Sequence, residues 1–306
     1  MTLSLATIAG SPAALRGSAP YHPAALAPLR GVRFALPADD PWVQGTGDPD
    51  HAYLDGARGG WIDHPEYMDF LDPTSPVHDL KRAEADLVMH HWGAHLDAAR
   101  VLDVGCGIGR FGLRWLDRGA TVYGADPDLE SLRRFAWHAA DHDGAIDLFW
   151  CSVHHLPEVR VDLAVASEVL CYVPEAASAL RAIASRVTPG GHVLLSLEAR
   201  WGWAAAQDAP AQTIAAALGG DGIVAVAGER WVQTYDEDAV RSLIAAANLE
   251  LVALTPSHWI PDGPLEDAGP ASLSLQELVA LEAQCQAHPV WGPLHRLWLV
   301  TARVPA

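Results

Sequence analysis

The sequence predicts an α/β fold built on a mainly parallel, doubly wound sheet. Two observations carry that prediction. Short apolar runs alternate with amphipathic helical stretches from about residue 79 onward, the order of a sheet covered on both faces. The run Val101, Leu102, Asp103, Val104 also leads straight into Gly105, Gly107 and Gly109 at alternate positions, and a helical stretch from Arg110 to Leu116 follows. Strand, glycine turn and helix make the first half of a βαβ unit. Ligands of such sheets bind beyond the carboxyl ends of the strands. The chain has 306 residues, of which 50% are hydrophobic, enough for one large domain or two modest ones.

Taken in order, residues 1–38 are rich in Ala, Pro and Gly and read as a flexible arm. Residues 39–78 set Trp42, Tyr53, Trp61, Tyr67 and Phe70 among Asp, Gly and His. They read as an aromatic cap, or equally as a wrap whose rings join the main core. The domain proper spans 79–306. It opens with a helix over Asp79 to Leu96, with Leu80, Ala83, Leu87, His91 and Ala94 on one face and Asp79 at its cap. His91 and His95 share a face, but no acidic partner stands at ligand spacing, so no metal site is expected.

After the glycine turn, Ala120 to Ala125 is a second strand ended by Asp126, and a helix runs from Pro127 to about Ala140. Ile146 to Trp150 and Val161 to Ala166 are the third and fourth strands. A helix over Glu175 to Val187 stops at Thr188-Pro-Gly-Gly191, and His192 to Leu197 is the fifth strand. The alternation lapses in an insertion over 199–232, where Trp201 and Trp203 flank Gly202 and an Ala-rich helix follows Pro210. Asp236 to Ala247 is a helix and Leu249 to Leu254 the sixth strand. A second insertion, 261–293, carries a helix over Leu275 to Ala287 with Ser274 and Glu277 in capping-box spacing. Leu297 to Val304 alternates as a last strand.

A net charge of −18 argues against a nucleic-acid binder, which needs a basic face. No apolar run approaches the roughly 20 residues of a membrane span. Cys106, Cys151, Cys171 and Cys285 are scattered without a C-x-x-C pair, which suits thiols in a reducing compartment. The N-terminus lacks the plan of a secretory signal, although Arg16, Arg30 and Arg33 precede the first acid and leave a transit peptide open. A cytoplasmic protein, monomer or homodimer, is the expectation.

Two ligand classes suit the glycine turn. Gly107, Gly109 and Gly112 satisfy the G-x-G-x-x-G of a dinucleotide fold, with Asp126 about 20 residues on. The longer string VLDVGCGIG, with an acid two residues before the first glycine, resembles the first motif of class I S-adenosylmethionine-dependent methyltransferases. LPEVRVDLAVASEVLCYVPE resembles that family's fourth-strand region, TPGGHVLLS its turn into the fifth strand, and TYDEDAVRSLIAAANLELVAL its closing helix and sixth strand. The resemblance covers Asp79 to Leu254 and the last strand. It implies a Rossmann-like sheet of seven strands, mainly parallel, the last one antiparallel beside the fifth.

The resemblance also implies S-adenosylmethionine as the cofactor and gives each residue a role. Gly105, Cys106 and Gly107 would bring backbone close to the methionine part, and Asp103 would orient its amino group, directly or through water. Asp126 would accept both ribose hydroxyls, as a carboxylate can. Pro127 would pack near adenine. The family usually places an aspartate on the adenine amine where this chain has Ser152, and the N–H of Val153 would still serve the ring. Ser167 and Glu168 end the fourth strand beside the substrate mouth. Methyl transfer to a hydroxyl or ammonium needs a base, and the candidates are Glu168, Tyr172, Glu198 and His258, with His154 or His155 by the adenine segment. Trp201, Trp203, Trp231, Trp259 and Trp291 lie in or beside the insertions and suit an aromatic pocket for a small organic acceptor. A peptide or protein methyltransferase, and a S-adenosylmethionine-binding module without catalysis, remain alternatives. The cap over Trp42 to Phe70 and the second insertion are expected to meet above the methyl group.

Overall fold

Apolar runs rich in Val, Leu and Ala form the strands, and the computed structural model describes residues 4–7, 33–36, 69–142, 144–173, 175–206, 222–226, 229–266 and 269–306. Five parallel strands come first: β3 (Arg100–Val104), β4 (Thr121–Asp126), β5 (Ala145–Trp150), β6 (Val161–Ser167) and β7 (Val187–Glu198). β10 (Glu250–Ser257) shares their direction, and β11 (Leu297–Arg303) runs antiparallel between β7 and β10. The order β5-β4-β3-β6-β7-β11-β10 is the predicted seven-stranded sheet with its reversed last strand. Two four-residue strands inside the stretch read as an arm, β1 (Ser4–Thr7) and β2 (Arg33–Leu36), add to the β5 edge. A hairpin of β8 (Ile223–Val226) and β9 (Glu229–Gln233) stands apart.

Helices cover both faces because strand side chains alternate. On one face lie α1 (His78–Trp92), α2 (Gly112–Leu116) and α3 (Leu129–His138), packing Val88, Trp92, Trp115, Leu132 and Phe135 on Val101 and Val122. On the other, α4 (Ala176–Ala184) and α6 (Glu237–Ala246) bring Leu180, Ile183, Val240 and Ile244 onto Leu102, Val104 and Val193. α5 (Arg200–Ala206) follows β7, and α7 (Leu275–Ala287) lies in the second insertion. No helix among the described residues is long and apolar enough to cross a membrane.

Several boundaries differ from the sequence reading. α1 ends at Trp92, since Gly93 opens a single 3-10 turn, and glycine is a poor helix former. Its cap position is Val77, while Asp79 pairs with Arg82 at 3.0 Å. α2 starts at Gly112 rather than Arg110, and α4 stops at Ala184. The Thr188–Gly191 break lies inside β7: Val187 faces Val161 and His192 faces Leu163, so the four residues loop out of register. Asp236, read as the first helical residue, is the cap of α6 through Ala239 N at 2.8 Å, while Ser274 and Glu277 form the predicted capping box of α7. The Ala-rich helix after Pro210 lies outside the described residues, as do Trp42, Tyr53, Trp61 and Tyr67.

Candidate active site

The carboxyl ends of β3, β4, β6, β7 and β10 share one edge, and the predicted site residues gather there. Gly105 N and Cys106 N both donate to Ala125 O, at 2.7 and 3.2 Å, which folds the glycine turn back over β4. Gly107 has φ +52°, and a Cβ built on it would meet nothing within 4 Å. The turn therefore exposes bare backbone to open space, which a ligand can approach closely. Gly109 and Gly112 are glycine for another reason. A Cβ at either would strike the Phe135 ring, at 2.3 and 2.5 Å, so these two positions let α3 pack on the turn.

Asp126 ends β4 and is buried. Its Oδ2 accepts from Gly107 N and its Oδ1 from Asp128 N, both at 2.8 Å. Pro127 lies beside it, and its carbonyl accepts from Trp150 Nε1 at 2.8 Å. Ser152 and Val153 follow β5 and are buried; Ser152 Oγ lies 3.2 Å from His155 Nδ1, and Val153 heads a 3-10 turn. The Cys106 thiol points under the turn, where burial pushes its pKa up. Asp103 faces the helix side of the sheet with Val101, and Gly112 sits against its Oδ2. Burial pushes Asp103 up to about 7 against the Gly112 N–H, which lowers it. Oδ2 has no hydrogen-bond partner among the described residues.

Beside the turn lies a buried charge network that the sequence did not show. Arg110 reaches Glu168 at 2.8 Å and Glu84 at 3.1 Å, and Lys81 reaches Glu84 at 2.9 Å. Arg296 pairs with Glu198 and stands 3.7 Å from Asp262. Val169, next to Glu168, would touch a Cβ on Gly105, so the network borders the turn directly. Ser167 Oγ contacts Ser196 Oγ at 2.8 Å, and that hydroxyl also takes the Glu168 N–H.

This environment sets the charge state of the predicted bases. Burial favours a neutral Glu168, but Arg110, with Arg296 and Lys81, holds it down at about 2. Glu198 is fully buried and tied to Arg296. Burial lowers His258 to about 3, and its Nδ1 lies 2.9 Å from Ser257 Oγ. Groups this acidic, or this firmly paired, are weak bases near neutral pH. Tyr172 closes a 3-10 turn after β6 with its N–H on Val169 O. His91 and His95 part company, since the His95 ring meets that of His192 at a tilt, centres 4.7 Å apart, by a hollow of about 400 Å³ at the opposite edge of the sheet. No group of three or more His, Cys, Asp or Glu among the described residues is placed to hold a metal.

The ends of both predicted covers reach this edge. Asp69 bonds His138 at 2.7 Å and Arg134 at 3.3 Å on α3, and Phe70 lies 6.0 Å from the Arg110 guanidinium. From the second insertion come Asp262 and α7, whose Glu282 binds the N–H groups of His258, Trp259 and Ile260 at 2.8, 2.9 and 3.0 Å. Trp259 is buried against Leu87 and Leu278 with Trp291 beside it, and Trp201 is 41% exposed, so these rings do not line one common pocket. The side chains of Trp203 and Trp231 lie outside what is described.

These residues fit S-adenosylmethionine. Open space over Gly107 admits the ligand, the Asp126 carboxylate ends β4 beside it, and the orphaned Asp103 oxygen calls for a donor such as an ammonium or its water. Asp126→Ala is expected to weaken S-adenosylhomocysteine by about 1.5–3 kcal/mol, the scale of hydrogen bonds to a charged group. Isothermal calorimetry measures this; equal affinity, or gain of a nicotinamide cofactor, would return the turn to the dinucleotide class.

Comparison with known proteins agrees with the geometry. Residues 77–254 match the family described as "Methyltransferase domain". The ubiquinone biosynthesis O-methyltransferase of Alkalilimnicola ehrlichii is 34% identical over 163 residues, covering 52% of this chain and 63% of its own length. The chain thus spans less than two thirds of that relative. A Listeria monocytogenes structure assigned to the S-adenosylmethionine-dependent methyltransferases superposes with a TM-score of 0.51 at 11% identity, covering 72% of this chain and 99% of that one. The [4+2]-cyclase SpnF superposes with a TM-score of 0.50 at 19% identity over 74% and 81%. At these identities the two structures speak to the fold. The family match covers more than half of the residues, and the chain belongs to the methyltransferase-domain family.

Proposed function

We propose that the protein transfers the methyl group of S-adenosylmethionine to a hydroxyl of a small organic acceptor. The observation that carries this reading is the open backbone cradle at Gly107, with Asp126 beneath it, beside a mouth walled by carboxylates. When bound, S-adenosylmethionine supplies a methyl already activated by its positive sulfur, so the protein's work is chiefly positioning. Gly105, Cys106 and Gly107 give backbone to the methionine part, and Asp103 answers its ammonium. Asp126 takes the ribose, and Pro127, Ser152 and Val153 take the adenine. Ser167 holds the mouth through Ser196. The Arg110–Glu168 pair walls the mouth and keeps water from the sulfur side. In this reading Asp69 and Phe70 are the docked end of the cap, and the insertion bearing Asp262 is its opposite wall. The choice of a hydroxyl acceptor is supported by the O-methyltransferase relative.

The test is transfer of labelled methyl from S-adenosylmethionine to a panel of small phenols, alcohols and amines, with peptides as a separate arm. Incorporation into small hydroxyl acceptors is the expected result. Incorporation into peptides alone would favour a protein methyltransferase. Tight S-adenosylhomocysteine binding with no transfer to any acceptor would mark a binding module.

A further inference from the structure

We infer that Asp262 is the general base that takes the acceptor's proton during methyl transfer. The inference rests on the hydroxyl-acceptor reading above. It begins from a charge count. Three cations, Lys81, Arg110 and Arg296, meet four carboxylates, Glu84, Glu168, Glu198 and Asp262. Glu84 is gripped twice, by Lys81 and Arg110, Glu168 is held by Arg110 and Glu198 by Arg296, while Asp262 stands 3.7 Å from the other arm of Arg296. Asp262 shares Arg296 with Glu198 and is the carboxylate held at the longest distance.

It is also the most exposed of the four. Its side chain is 35% exposed, against 4% for Glu84, 25% for Glu168 and 1% for Glu198. Its backbone is held in place for the purpose. Asp262 has φ +52°, and Glu168 and His258 have φ +56° and +65°, so three of the five left-handed non-glycine residues among the described ones surround this mouth. Such strain persists where the surroundings enforce it, and it concentrates at functional sites. Here Gly263 enforces it: a Cβ there would lie 2.4 Å from His258 O and 2.6 Å from Trp259 O, so the Asp262–Gly263 turn is pressed against the end of β10. Arg296 N in turn donates to His258 O at 2.9 Å.

The groups facing Asp262 set its proton affinity. Lys81 and Glu84 come from α1, Glu168 from the end of β6, Arg296 from the start of β11 and Glu266 from its own loop. Burial raises its pKa most, Lys81 opposes this, and Glu84, Glu168 and Glu266 add to it, for a value of about 7. A base of that strength is well matched to work near neutral pH.

The step balances. The acceptor O–H proton passes to an Asp262 carboxylate oxygen as the acceptor oxygen forms its bond to the methyl carbon. The electron pair of the breaking carbon–sulfur bond stays on sulfur and yields neutral S-adenosylhomocysteine. Asp262 then returns the proton to solvent.

Asp262→Asn keeps the size of the side chain and suits a left-handed backbone. With a hydroxyl acceptor at pH 7, it should lower kcat by at least about 100-fold, the range of general-base catalysis. Affinity for S-adenosylhomocysteine should stay within about twofold. The deficit should shrink as pH rises and as acceptors with more acidic hydroxyls are used, which a structural defect would not do. In the ligand-free protein, carboxyl-carbon NMR should show a resonance titrating near neutrality that is missing from the variant. If the Asp262 resonance titrates in the ordinary carboxylate range, or the variant keeps its rate within about threefold, the base assignment falls and the acceptor reading stands. If the wild-type protein methylates no hydroxyl acceptor, both fall together.

Discussion

Gly107→Val eliminates measurable S-adenosylmethionine binding, at least a 100-fold loss, in a protein that still folds. The valine finds open space within the fold, since nothing lies within 4 Å of its Cβ position. That space is where the ligand must pass. The left-handed backbone, φ +52°, costs the branched side chain about 1–2 kcal/mol, small against the 5–15 kcal/mol that typically holds a domain. Gly190 supplies the control. It also has a positive φ, +79°, and an unobstructed Cβ position, but it lies at the far edge of the sheet. Gly190→Val carries the same backbone strain and should leave binding intact. Calorimetric titration with S-adenosylhomocysteine, beside far-ultraviolet circular dichroism, reads both variants. Full affinity in folded Gly107→Val would remove the cofactor site from this turn.

Glu282→Ala is expected to cost about 3 kcal/mol or more of stability, because three buried N–H groups lose their acceptor together and each such loss costs about 1–3 kcal/mol. For a chain of this size the melting temperature should fall by roughly 5–10 °C. The effect depends on pH. Burial raises Glu282 from 4.5 to about 7 although the three N–H groups pull it down. Its folded form thus holds a proton more tightly than its unfolded form. Its stabilising contribution is full below about 4.5 and declines as pH rises to about 7. The melting deficit of the variant should therefore be larger at pH 5 than at pH 8. Equal melting curves for the two proteins would show that α7 does not hold the end of β10 through this carboxylate.

The sequence disclosed features whose cause is local. The run from Val101 to Gly109 reads as strand and turn because burial and positive φ leave few other residue choices. The capping box of Ser274 and Glu277 spans one turn of helix. Asp126 was legible as the acid ending the second strand. The charge network was not legible. Lys81 and Glu84, Arg110, Glu168, Asp262 and Arg296 come from separate stretches, and all but Glu168 read alone as ordinary surface residues. Only their meeting at one sheet edge tells which carboxylate is held most loosely. For Glu168, Glu198 and His258 the position along the strand is readable, but not the ion partner of each glutamate or the burial of the histidine. The bulge at Thr188–Gly191 was misread as a helix-to-strand break because Pro and Gly mark either event.

The place of β11 has a consequence for the order of assembly on the ribosome. β7 and β10 are both synthesised before the strand that joins them, and neither edge can close until β11 arrives between them. Arg296 stands at the threshold of that strand, and it is the cation for Glu198 and the neighbour of Asp262. Until then Glu198 has no reason to leave water, because an unpaired buried carboxylate is costly. A nascent chain can therefore complete its glycine turn and the strands around it while its acceptor side is still unmade. On the proposed methyl-transfer reading, cofactor capture would precede catalytic competence in time.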